Sequence, residues 1–75
     1  MTRSERLAKE GKIEVYCGTL EIARLLSDKE FTKAAPALRY IGTDEDAKYN
    51  GRGVSANVYE DEDGRIFAVI GYYYN

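Results

Sequence analysis

The sequence has no histidine and no tryptophan, and only one cysteine, one proline and one methionine among 75 residues. Without histidine there is no Ser-His or Cys-His nucleophile pair, and a His/Cys zinc finger cannot be built. A single cysteine excludes a disulfide framework. The opening residues Met1-Thr2-Arg3-Ser4-Glu5-Arg6 mix acid and base and lead into no apolar stretch, so no signal peptide is expected. A reducing cytoplasm fits both features. Long hydrophobic runs are missing too. The longest, Ile66-Phe67-Ala68-Val69-Ile70, is far too short to span a bilayer, so no membrane partner is expected. Nor is there a surplus of positive charge. At a net charge of −2 the chain lacks the Lys/Arg cluster that phosphate contacts need, and direct nucleic-acid binding is disfavoured.

What is present is the composition of one small globular domain spanning residues 1–75, with 44% apolar and 32% charged residues. Charge is unevenly spread. Residues 1–40 hold eight Lys/Arg against six Asp/Glu, and residues 41–75 hold three against seven. The acids of the second half fall in two runs, Asp44-Glu45-Asp46 and Glu60-Asp61-Glu62-Asp63. Such runs are either solvated turn tips or an acidic face for a basic partner.

Thr2 and Glu5 are spaced as a capping box ahead of Arg6-Leu7-Ala8-Lys9-Glu10, with Gly11 as the stop. Residues Lys12 to Cys17 alternate, with Ile13, Val15 and Cys17 on one face, and predict a strand. Thr19 then stands as an N-cap for a helix from Leu20 to Leu26. Ser27 and Glu30 form a second capping box for a helical turn over Asp28 to Ala34, which Pro36 ends. Leu38 to Ile41 reads as a short strand, and Thr43 to Gly53 as a loop containing Asn50-Gly51. Val54 to Tyr59 alternates as a strand, Glu60 to Gly64 makes a hairpin tip, and Arg65 to Tyr74 returns as a strand. That last strand is apolar on both faces, so it belongs in the sheet centre or has one face covered by a partner. The expected fold is α+β: a small, largely antiparallel sheet of about four strands, with two to three short helices packed on one face.

Candidate chemistry fails residue by residue. Cys17 lies before an expected helix start, but six residues separate it from Arg24, and Leu20 and Ile22 stand where a phosphate cradle would be. A calcium loop starting at Asp61 needs oxygen ligands where Arg65 and Tyr72 stand; one starting at Asp44 meets Lys48 and Ser55. Arg52-Gly53-Val54-Ser55-Ala56-Asn57-Val58-Tyr59 has the ends of an RNA-binding strand, but Val54 and Ala56 replace its stacking aromatics. The carboxylates sit among one another in solvent-like turns, without the apolar pocket that acid/base work needs. No cofactor, no metal and no catalysis are expected.

The positive signal is tyrosine, seven in all, with Tyr72-Tyr73-Tyr74 near the C-terminus. Tyrosine offers broad rigid contact area with one hydroxyl, which suits interfaces; the other reading is that these rings cap the edge of the core. Alternation puts Tyr72 and Tyr74 on one face and Tyr73 on the other.

Val15-Tyr16-Cys17-Gly18-Thr19 and Ser27-Asp28-Lys29-Glu30-Phe31 resemble segments of the ArdA-type antirestriction proteins, which phages and mobile elements use against bacterial defence nucleases. In size, acid content and lack of catalytic motifs the chain is also similar to anti-CRISPR proteins, a likeness of class. The resemblance implies a non-enzymatic inhibitor that occludes a host protein or ribonucleoprotein with a basic surface. The contact residues expected on this reading are Asp44, Glu45, Asp46, Glu60, Asp61, Glu62, Asp63, Tyr72, Tyr73 and Tyr74. The alternative is a homo-oligomer, such as a homodimer, that buries one face of strand 65–74 against its own copy.

Overall fold

In the computed structural model, which describes residues 1–74, the chain begins with helix α1 (Arg3–Lys9) and a hairpin of β1 (Lys12–Tyr16) and β2 (Leu20–Leu25). Helix α2 (Asp28–Ala34) and a 3₁₀ turn (Ala35–Ala37) follow, and then a meander of β3 (Arg39–Tyr49), β4 (Arg52–Glu60) and β5 (Ile66–Tyr73). The five strands close into a barrel in the order β1-β2-β5-β4-β3. Every neighbouring pair is antiparallel except β2 with β5.

Both helix starts are locally encoded. The Thr2 hydroxyl accepts from the Glu5 N–H while Glu5 Oε1 accepts from the Thr2 N–H at 2.9 Å. Ser27 and Glu30 repeat the arrangement at 3.1 and 2.9 Å. Each box satisfies two otherwise orphan amides, so these helices begin where the sequence places them.

The helix expected over Leu20–Leu26 is not formed; Leu20–Leu25 is a strand. Gly18, at φ +89°, lets a three-residue loop return the chain onto β1, pairing Tyr16 with Leu20 and Ile13 with Ala23. A seven-residue helix gains little by itself, whereas this hairpin pairs backbone on both strands and buries Ala23 completely. Apolar residues on both sides of β2 fill a wide helical arc and so mask the twofold period. Leu20 and Ile22 are left half exposed on the outer wall.

The loop expected over Thr43–Gly53 is also overturned. Strand β3 runs through it to Tyr49, and Asn50-Gly51, both at positive φ (+53° and +81°), forms a two-residue hairpin turn into β4. The first acidic run therefore lies within a strand. Two one-residue bulges, at Ile41 and at Glu45-Asp46, bend β3. With Leu20–Leu25 added as a strand, the sheet is a closed one of five strands, where about four were expected. A closed sheet presents no single face for helices: α1 lies against β1 and β3, while α2 sets Phe31 on Tyr59 of β4, ring centroids 4.8 Å apart.

The barrel is filled by Ile13, Val15, Ala23, Ala47, Val54, Ala56, Val58 and Ala68. Half of these are alanine, because five strands enclose a lumen too narrow for large side chains. Strand β5 lies between β2 and β4, although it is paired with β2 only at Phe67 and Ala68. Ala68 points inward, while Val69 is buried outside the barrel cluster, as is Leu26.

The weakest join in the wall is between β1 and β3, which share the single register pair Glu14↔Lys48. Asp44, the one buried charged residue among those described, reinforces it. Its Oδ2 accepts from the Tyr16 N–H at 3.0 Å, and its Oδ1 accepts from the Asp46 N–H, freed by the bulge, at 2.9 Å. Asp44 thus stands in for missing backbone partners. Its expected place on a contact surface is corrected: it is turned inward and already engaged.

Candidate functional site

The β3 bulge lifts Glu45 and Asp46 out of the ladder onto the surface, one position before inward-pointing Ala47. The end of β5 approaches from the other side of β4. The Tyr74 N–H donates to the Gly53 C=O at 2.9 Å, which draws the Tyr74 ring over Gly53. Glu45, Asp46, Ala47, Lys48, Gly53 and Tyr74 together line a shallow cleft of about 400 Å³. Tyr72 extends this wall, its ring meeting Tyr74 edge-on at 5.4 Å. Tyr72 is 62% exposed and Tyr74 40%. Glu45 and Asp46 form no ion pair among the described residues.

Asp46, Ala47 and Lys48 also border a second cleft, of about 340 Å³, beneath α1. There Arg3 pairs with Glu14, and Tyr16 stands 54% exposed. The two clefts share Asp46, Ala47 and Lys48, with Tyr16 lining one and Tyr74 the other. Aromatic area next to unpaired carboxylates can hold a Lys or Arg side chain by stacking and by charge.

Tyr73 lies on the opposite side of β5, under the Arg52 guanidinium at 4.9 Å. The second acidic run is separate again. The first run lies opposite Ser55 and Ala56, four to five residues from Glu60 along β4, about 13–17 Å at the usual strand rise, so the two runs are well separated on the barrel. The tip does form the expected turn, with Gly64 at φ +81°. Its charge is largely spent internally. Arg39 pairs with Glu60, and Arg65 pairs with Asp61 at 2.8 Å and Asp63 at 3.1 Å. Asp61 also accepts from the Asp63 and Arg65 amides at 2.9 Å each. Desolvation pushes its carboxyl up, but the Arg65 and Asp63 hydrogen bonds and the Arg65 charge outweigh it and hold the group below the ordinary carboxylate range. Glu62 alone in this run has no ion pair among the described residues.

Of the expected contact residues, Glu45, Asp46, Tyr72 and Tyr74 therefore come together, and Asp44, Tyr73 and the Glu60–Asp63 tip stand apart. Sequence reasoning missed Tyr16, Leu20 and Ile22 as exposed surface. Their cross-strand adjacency, Tyr16 opposite Leu20, depends on reading residues 20–25 as a strand.

Cys17 is half buried in the β1–β2 loop. Burial pushes its thiol pKa up, and the Asp44 and Glu21 charges push it the same way. That is the reverse of what a nucleophile requires. Among the described residues, no group of three His, Cys, Asp or Glu side chains could hold a metal ion, and no helix is long and apolar enough to cross a membrane.

Compared with known proteins, the chain matches no family model, no curated protein and no solved structure.

Proposed function

We propose that this chain is a non-enzymatic binding protein that inhibits a nucleic-acid-targeting defence complex of bacteria, covering a basic surface of the complex with Glu45, Asp46, Tyr72 and Tyr74. The single observation that carries the binding role is the Glu45–Asp46–Tyr74 cleft, where exposed aromatic rings and two unpaired carboxylates converge. Aromatic anchors supply contact area and acids speed encounter with a basic surface. The class of target comes from the resemblance to antirestriction and anti-CRISPR proteins. An inhibitor of this kind needs a shaped, charged surface and no catalytic group, which agrees with a chain lacking histidine.

The test is affinity capture from a bacterial lysate with the whole chain as bait, followed by a cleavage assay on any nuclease recovered. Nuclease components should be enriched, and the chain should slow their cleavage of DNA or RNA. A Glu45→Lys/Asp46→Lys bait should lose both effects. Capture of no nuclease component, or capture unaffected by the double substitution, overturns the reading.

A second reading is self-association, in a cytoplasmic homo-oligomer. It is favoured by the half-exposed Tyr16, Leu20 and Ile22 on the outer wall of the β1–β2 hairpin. Sedimentation at micromolar concentration decides it: a monomer removes this reading.

A further inference from the structure

Strand β5 is paired along its length on one side only. Against β4 its register runs from Ile66 to Tyr73; against β2 it is paired at Phe67 and Ala68 alone. Beyond that point the chain after β2 turns away into α2. The Leu26 N–H donates to the Ala68 C=O at 2.9 Å, so the peptide groups of Ala68 point toward β2. Directions alternate along an antiparallel ladder, so Ile70 also aims its N–H and C=O to the β2 side. The register shift at Gly71 resets the alternation, and the Tyr74 N–H bond to Gly53 sets the new phase. Tyr73 then turns its peptide groups toward β2 as well. No β2 residue is in register with Ile70 or Tyr73.

The space beside this edge is a cleft of about 390 Å³ walled by Leu25, Leu26, Ile70 and Tyr73, with Asp28 and Glu30 on its rim. Two cations stand by it, Arg24, whose Nη2 lies 3.9 Å from Glu30, and Arg52, whose guanidinium lies over the Tyr73 ring at 4.9 Å; Asp28 forms no ion pair among the described residues. An unpaired strand edge is a template for another strand, and flanking pockets select its side chains.

We propose that the open edge of β5 from Ile70 to Tyr73 receives an extended peptide segment of a partner protein, carrying an apolar side chain flanked by Lys or Arg. The peptide backbone pairs with Ile70 and Tyr73, the apolar side chain enters the cleft, and the basic one lies against Asp28. A second copy of this chain is the competing occupant, and shifts of the same amides on concentrating the chain without peptide would overturn the proposal. The bulge at Gly71 interrupts the edge and limits the pairing to a short segment. This site is on a different wall from the Tyr72–Tyr74 pair and does not rest on the function proposed above.

The test is titration of the isotope-labelled whole chain with a capped Lys-Val-Lys-Val-Lys peptide, followed by amide shifts and amide exchange. Shifts should centre on Leu26, Ile70 and Tyr73, with slowed exchange at Ile70 and Tyr73. The same peptide N-methylated along its backbone, and a Glu-Val-Glu-Val-Glu peptide, should each bind at least about fivefold more weakly. Tyr73→Pro removes an N–H that takes no part in the ladder, so this variant should melt like the parent and lose the peptide, while Tyr73→Phe keeps it. No shift at millimolar peptide, shifts centred on Glu45 and Tyr74, or equal binding of the N-methylated peptide overturns the proposal. A Tyr73→Pro chain that does not fold overturns it too, since the N–H would then be a structural donor.

Discussion

The Asp44 carboxylate accepts a hydrogen bond from the Tyr16 backbone N–H at 3.0 Å, joining two strands that share only one register pair. A second bond, from the Asp46 N–H, ties the same side chain to the bulge that lifts Glu45 and Asp46 onto the surface. One buried side chain therefore closes the barrel and shapes the cleft.

Asp44→Ala should destabilise the fold by about 2–6 kcal/mol, since two amides would lose their partner at about 1–3 kcal/mol each. Asp44→Asn retains one acceptor oxygen and should lose less. Urea unfolding of both variants measures this, and an Asp44→Ala chain as stable as the parent would refute the role.

Ala56→Leu should cost at least about 1–3 kcal/mol, because the lumen has no room for the extra carbons. Ile13→Val, which removes one methylene from the same core, should cost about 0.5–1.5 kcal/mol. Thermal melts that place Ala56→Leu above the parent would show the lumen to be looser than described.

Acid should unfasten both helices. Hydrogen bonds from the Thr2 backbone and side chain hold Glu5 below its ordinary value of 4.5, and those from Ser27 do the same for Glu30. A carboxyl depressed by folding contributes stability above its unfolded value, and that contribution is lost as pH falls through the folded value. Helical circular dichroism should therefore decline as pH drops below about 4.5. A Thr2→Ala/Ser27→Ala chain should show a shallower decline, having lost the bonds beforehand. An equal slope would place the acid sensitivity elsewhere.

The Cys17 thiol should alkylate slowly at neutral pH. Burial and the nearby Asp44 and Glu21 charges keep it protonated, so its rate should rise only at higher pH than for a free thiol in urea. The Asp44→Asn variant should shift that profile toward lower pH. A thiolate already formed at neutral pH in the folded chain would contradict the geometry.

Charge reversal should discriminate between the two acidic runs. Glu45→Lys/Asp46→Lys should abolish partner capture, and Glu62→Lys should leave it within about twofold, as rim charges away from a contact generally do. Both should melt within about 0.5 kcal/mol of the parent, because the altered side chains are exposed. Equal loss of capture in both would move the contact surface to include the tip.

Local sequence determined both capping boxes, the hairpin tip with Gly64, and the alternating strands of residues 12–16 and 54–59, because capping, turn and alternation each rest on near neighbours in the chain. It also determined that Tyr72 and Tyr74 share a face, since strand alternation requires it. Tertiary structure decided the rest. Residues 20–25 became a strand because β1 was there to pair with them, against a helical arc that looked sufficient. Asp44 became a clasp because a bulge and a strand end, 28 positions apart in sequence, both needed an acceptor. The registers of β3 and β5 on β4 set Glu45 and Asp46 beside Tyr74 and put Glu60–Asp63 away from them. Absences in composition excluded whole chemistries at once, but which acids act together is a matter of register, and register is fixed only when the strands meet.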